Sequence, residues 1–191
     1  WIGYTLDHQA EDGWLGPQDQ EQQGFHSKRD PWPIFVMLKV LTQYAEVRGE
    51  DAPGKRTFDA IVKALCAINS HLDKRPLFDW NQYRWADLLV TILWCRVRNQ
   101  EPWLDVLAER IHNSGYDWDA HFERFPFTGR SDRWTFDRHV VNNAMGIKTP
   151  GLWELYTKGT VSADSVLAPI AVLDEHHGQA TGMFSGDECF A

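Results

Sequence analysis

The sequence predicts an all-α protein, a closed α/α toroid or stacked array of helical hairpins, on three observations. Apolar residues recur at i, i+3, i+4 and i+7 in several segments, while few segments alternate with period two. These segments come in pairs, each a long helix followed by a second one. Trp32, Trp85 and His139 sit near the start of the first helix of successive pairs, 53 and 54 positions apart. A fixed period with two helices per unit is the pattern of a stacked array or a closed ring, because one hairpin buries little alone and its neighbours complete the core. In a closed double ring the first helices form the inner wall, and their equivalent starts face one common mouth.

The first pair opens after Asp30, a good N-cap, with "PWPIFVMLKVLTQYAEVRGE". Proline stands in its first turn and Gly49 closes it. Phe35, Leu38, Leu41 and Thr42 mark its apolar face. Its partner, "KRTFDAIVKALCAINSHL", carries Phe58, Ile61, Leu65 and Ile68 on one stripe. The second pair is "RWADLLVTILWCRVRNQ", ending at Asn99, and "EPWLDVLAERIHNSG", with a proline near its start and Gly115 at its end. The third is "RHVVNNAMGIKTPGLWELYTKG", expected as one helix, followed by "VSADSVLAPIAVLDEHHG". Residues 10–30 and 115–137 are long connections rich in Gly, Asp, Gln and aromatics, expected to wall a cleft at the mouth.

Composition narrows the function classes. The chain has 191 residues, 43% hydrophobic and 24% charged, which fits one domain with a substantial core. A net charge of -8 with no basic stripe argues against nucleic acid or an anionic membrane as partner. The apolar run at 34–41 is interrupted by Lys39 and is too short to span a bilayer. Three cysteines, Cys66, Cys95 and Cys189, make neither a disulfide framework nor a C-x-x-C zinc pattern. Ten tryptophans either fill a Trp-rich core or line a cleft whose flat rings stack on sugars. The chain starts at Trp1 and ends at Ala191 without terminal signals, so residues 1–191 are expected to be an internal segment of one catalytic domain, truncated at both ends.

Several residues carry candidate chemistry. Asp187 and Glu188 follow Gly186 in a run of small residues, where a desolvated carboxyl becomes a general acid of the kind glycosidic cleavage requires. The alternative is a solvated or helix-capping pair. His176 and His177 close a helix, where the C-terminal dipole accounts for one, leaving His177 to reach the cleft as a donor. A metal site from these histidines with Asp187, Glu188 and Cys189 matches no zinc spacing. His139, with Asn143 one turn on, is either a satisfied polar network or a reader of ligand hydroxyls, and Asp87 beside Trp85 joins the same group. No Walker loop, GxGxxG, GxSxG or HExxH motif occurs.

The stretches "LDHQAEDGWLGP", "DPWPIFVMLKVLTQY", "RWADLLVTILW", "RHVVNNAMGIKTPGLWELY" and "HHGQATGMFSGDECFA", in that order, resemble the catalytic domain of the beta-L-arabinofuranosidase-like glycoside hydrolases, family 127 and its relatives. The resemblance implies an (α/α)6 barrel, incomplete in this chain, and retaining, exo-acting hydrolysis of terminal furanosides in arabinofuranoside-containing glycans. It implies a zinc-bound cysteine thiolate as nucleophile, with three Cys and one Glu as zinc ligands, and a separate Glu as acid/base. Carried over by position, the acid is Glu188, with Asp187 second. His139 resembles a sugar-binding histidine of the inner wall, and Gln9 a polar residue near the sugar. The family's further inner-wall histidines are replaced here by Trp32–Pro33 and Trp85, which makes these tryptophans substrate-binding candidates. The family's Glu-x-Cys and Cys-Cys elements are expected downstream of Ala191, so the zinc ligands are not expected among these residues and Cys189 is not the nucleophile. A non-catalytic carbohydrate-binding protein, a helical-repeat scaffold, and another toroidal enzyme (a lyase or unsaturated-uronide hydrolase) are the alternatives.

Overall fold

A computed structural model describes residues 1–17, 29–130, 133–184 and 188–190. The described residues are helical, with no strand beyond an isolated bridge between Gly178 and Phe184. After a short α1 (Ile2–Asp7), the first pair is α2 (Trp32–Arg48) and α3 (Ala52–Leu72). A five-residue α4 (Asp79–Tyr83) leads into the second pair, α5 (Ala86–Arg98) and α6 (Pro102–Ser114). Then come α7 (Trp118–Glu123), α8 (Val140–Gly146), α9 (Thr149–Lys158) and α10 (Ala163–His177).

The hairpins stack in chain order. α2 packs on its partner α3 and on α5, α5 on its partner α6 and on α9, and α9 on α10. The first helices of the pairs therefore form one row, α2–α5–α9, with α3, α6 and α10 as their partners. Pattern explains the packing: Ile34, Phe35, Leu38 and Leu41 of α2 are closed to solvent against Ile61, Leu65 and Ile68 of α3 and Leu88, Leu89 and Ile92 of α5. Each such side chain contributes roughly 1.5–3 kcal/mol on burial. A second core forms around Trp118, Phe122, Phe127, Val140, Leu173 and Phe190.

Local signals set the boundaries. Asp51 caps α3 by accepting from the Gly54 N–H at 2.8 Å, and Ser162 caps α10 through the Ser165 N–H at 3.2 Å. The N-cap of α2 is Pro31 rather than the expected Asp30, whose carboxylate lies one residue before it and accepts from the Trp32 N–H at 2.9 Å. Two further expectations are corrected. The first helix of the third pair is two helices, α8 and α9, broken at Ile147–Lys148. Pro150 has no N–H to continue the ladder, so it occupies the first turn of a new helix instead. The connection 115–137 is not structureless, since α7 lies inside it, capped by Asp117 through the Ala120 N–H. No helix among the described residues is long and apolar enough to cross a membrane.

Candidate functional site

One hydrogen-bond relay brings separate aromatic residues together. Asn81, buried in α4, donates to Asp30 Oδ1 at 2.8 Å, the same oxygen that accepts from the Trp32 N–H at the start of α2. Asn81 Oδ1 in turn accepts from the Phe78 N–H at 2.7 Å, which fixes the amide orientation. Asp79 adopts φ 46°, a left-handed backbone turn that non-glycine residues seldom take, just before Trp80. The start of α2 is thereby tied to α4, and the Trp32 and Trp80 rings lie 5.9 Å apart. From the connection before α8, Phe136 and Trp134 add edge contacts to Trp80 at 5.0 and 6.0 Å.

His139 stands at the edge of this wall, 5.2 Å from the Trp80 ring, as the N-cap of α8. Its Nδ1 accepts from the Asn142 N–H at 3.2 Å, which assigns the proton of the neutral ring to Nε2. Nε2 lies 3.0 Å from Glu188 Oε2 and donates to it. Burial pushes the His139 pKa down, which Glu188 partly opposes and Arg84 reinforces. Glu188 itself is 77% exposed, so the desolvated carboxyl expected in this loop is instead an open one held at one oxygen. The next two residues, Cys189 and Phe190, are buried, and Phe190 stacks on His177 with centroids 4.0 Å apart.

Arg84 joins the wall from the end of α4. Its guanidinium carbon lies 4.6 Å from the ring centres of both Trp32 and Trp80. Its Nε donates to Asn142 Oδ1 at 2.8 Å, and Asn142 Nδ2 donates to the Phe136 carbonyl at 2.9 Å. Burial lowers the Arg84 pKa, against the attraction of Asp87.

The other expected site residues lie as follows. Asp87, 1% exposed, accepts at Oδ1 from Lys148 at 2.5 Å and from Lys39 at 3.1 Å, joining α5 to α2 and to the start of α9. Its Oδ2 is buried without a hydrogen bond among the described residues. Trp85 is packed in the first core with its indole N–H on the Tyr116 carbonyl at 3.0 Å, away from the aromatic wall. Gln9 spends both amide hydrogens on backbone, to Gly13 O at 2.8 Å and Ala60 O at 2.9 Å, holding the N-terminal segment to α3. Asn143 accepts from His121 Nε2 at 2.7 Å and donates to the Asp137 and His139 carbonyls. His121 Nδ1 in turn accepts from the Tyr116 hydroxyl at 2.9 Å. This is a closed internal network behind the wall. His177 Nε2 donates to the Phe127 carbonyl at 2.5 Å, within the second core. Asp187 lies outside the described residues.

The arrangement thus joins Trp32, His139 and Glu188, and it adds Trp80, Trp134 and Arg84, which the sequence reading did not single out. Among the described residues no three of His, Cys, Asp and Glu come together in a way that fits a metal ion, so they offer no place for the zinc that the resemblance implies. Compared with family models, with curated proteins and with solved structures, the chain matches none of them.

Proposed function

We propose that this chain carries the acid side of a carbohydrate-cleaving site, of the retaining, exo-acting beta-L-arabinofuranosidase type, on helices that belong to an α/α toroid. The observation that carries the reading is the 3.0 Å bond from His139 Nε2 to Glu188 Oε2 at the edge of a wall of indole rings. Indole faces stack on the C–H faces of a sugar ring. In this reading the ring lies on Trp32 and Trp80 with its scissile oxygen toward Glu188. His139, neutral and with its proton fixed on Nε2, orients the carboxyl through one oxygen. The other oxygen gives a proton to the leaving group, and the resulting carboxylate then takes one from the incoming water. The resemblance supplies the sugar class and the retaining course. The zinc it implies has no fitting group among the described residues, so the reading rests on the acid side.

A non-catalytic sugar-binding protein is the second reading, favoured by the 77% exposure of Glu188, since a carboxyl this open is not desolvated by the fold. Glu188→Gln in the whole protein separates the two. An enzyme is expected to lose roughly 10²–10⁴-fold in kcat on an aryl beta-L-arabinofuranoside, with KM changed only a few-fold. Retained affinity for the sugar with no turnover to lose would leave a binding protein.

A further inference from the structure

We infer that Arg84 makes this wall a subsite for an acidic sugar, its guanidinium pairing with a carboxylate on the ring that stacks on Trp32 and Trp80 or on that ring's neighbour. The inference rests on the carbohydrate reading above and deepens it.

The geometry of Arg84 is that of a reader. A guanidinium offers five N–H donors in a rigid fork. Among the described residues Nε alone is engaged, on Asn142 Oδ1, and the amide is fixed in this orientation because its nitrogen donates to the Phe136 carbonyl. The plane of the fork is therefore set, and the edge formed by the two terminal nitrogens remains. Among the described residues Arg84 makes no ion pair with a carboxylate. Asp87 is the acid that acts on it electrostatically, and the Asp87 carboxylate is already held by Lys39 and Lys148. Lys39, Lys148 and Arg84 thus face the buried Asp87, while the other carboxylates at the wall, Asp30 and Glu188, are met by neutral donors, Asn81 with the Trp32 N–H and His139. The Trp32 indole N–H is likewise buried without an acceptor. The terminal N–H groups of Arg84 and the Trp32 indole N–H are thus donors without an acceptor among the described residues, and a half-buried cation stacked on indoles is a costly feature unless an anion answers it. A planar carboxylate matches the end-on edge of the fork with two parallel hydrogen bonds.

The test uses the whole protein and follows tryptophan fluorescence and calorimetric heats with digalacturonate and its methyl ester, which differ in charge and little in shape. The acid is expected to bind roughly tenfold or more tightly than the ester, as a charge-assisted bidentate pair should provide. Arg84→Gln is expected to collapse that preference to within about twofold, a change on the scale of losing one such pair. Where Arg84→Gln fails to fold by circular dichroism, Arg84→Lys decides. It keeps the charge but not the fork, and a several-fold loss of preference supports the inference while an unchanged one overturns it. Equal binding of acid and ester overturns the acidic-sugar inference and leaves the carbohydrate reading standing. Binding of acetate or inorganic phosphate as tight as digalacturonate assigns the subsite to free anions and also overturns it. Binding of neither sugar overturns this inference, while the carbohydrate reading stands or falls separately on the Glu188→Gln comparison with the arabinofuranoside.

Discussion

His121 and His139 are two buried imidazoles kept neutral by different neighbours. His121 gives Nε2–H to Asn143 and takes the Tyr116 hydroxyl on Nδ1, so both nitrogens are satisfied only in one tautomer. Burial pushes both pKa values below the ordinary 6.5. In the unfolded chain each histidine takes a proton near pH 6.5, whereas in the folded chain it resists until lower pH. Their stabilising contribution is therefore complete above about pH 6.5 and is lost as pH falls from there toward the folded values. Thermal unfolding at pH 7.5 and 5.5 is expected to show a lower Tm at 5.5, and His121→Gln is expected to flatten that slope. Glu154 works in a separate window, because its bonds to Ser162, Ser165 and Lys158 hold its pKa down to about 2. A slope unchanged by His121→Gln would count against this account. At this scale His139 and Glu188 were legible because chain position pointed to them. Trp80 and Arg84 were not, since their partners lie about fifty residues away in sequence and periodicity within one helix carries no trace of such contacts.

The break between α8 and α9 shows how an element fits a fold that needs a bend. Gly146 ends α8 against the face of Trp118, and a Cβ there would stand 2.5 Å from Trp118 Cδ2. Trp118 cannot retreat easily, being fully buried with its indole N–H on the Tyr83 carbonyl at 2.9 Å. Gly146→Ala is expected to destabilise the protein by about 1–3 kcal/mol, read as a lower denaturation midpoint at unchanged m-value. A neutral result would mean that α8 rides more loosely on α7. The helix pairs were legible at this scale, including the faces of α2 and α3. The break was not, because the apolar spacing continues on both sides of "GIKTPG" and the stretch was read as one helix through Pro150. Trp85 shows the opposite failure. Its matching repeat position pointed to the mouth, but the shared register fixes only its place along the helix, and its ring turned into the core against Gly115.

Across the whole molecule, stability is unevenly distributed. α5 is covered by α2, α6 and α9, with Leu88, Leu89, Ile92 and Cys95 closed to water, and burial raises the Cys95 thiol pKa to about 12. α10 is covered along one narrow line, Pro169, Leu173 and His177, while Val166, Leu167 and Ile170 face solvent. Pro169 also removes one hydrogen bond from its interior. Hydrogen exchange is expected to run faster in α10 than in α5, with α5 amides exchanging last, through global opening. Comparable protection in the two helices would refute this ordering. That hairpins pack on one another was foreseen from the repeat, but the row was not, since its third marker His139 starts α8 whereas α9 is the helix that continues α2 and α5.

The burial of Cys189 and Phe190 directly after Glu188 has a bearing on how this loop can vary. With Phe190 clasped by His177 and the carboxyl met by His139, Glu188 is located from its C-terminal side. The turn before it, residues 179–183, is closed by the bridge at Gly178 and Phe184 and by the bonds from the Gln179 N–H to Met183 O and the Gly182 N–H to Gln179 O, with Phe184 at its end packed on the second core. Insertions and deletions can accumulate in that turn without moving the acid, so the segment best able to reshape the approach to the wall is the one whose length the site does not depend on.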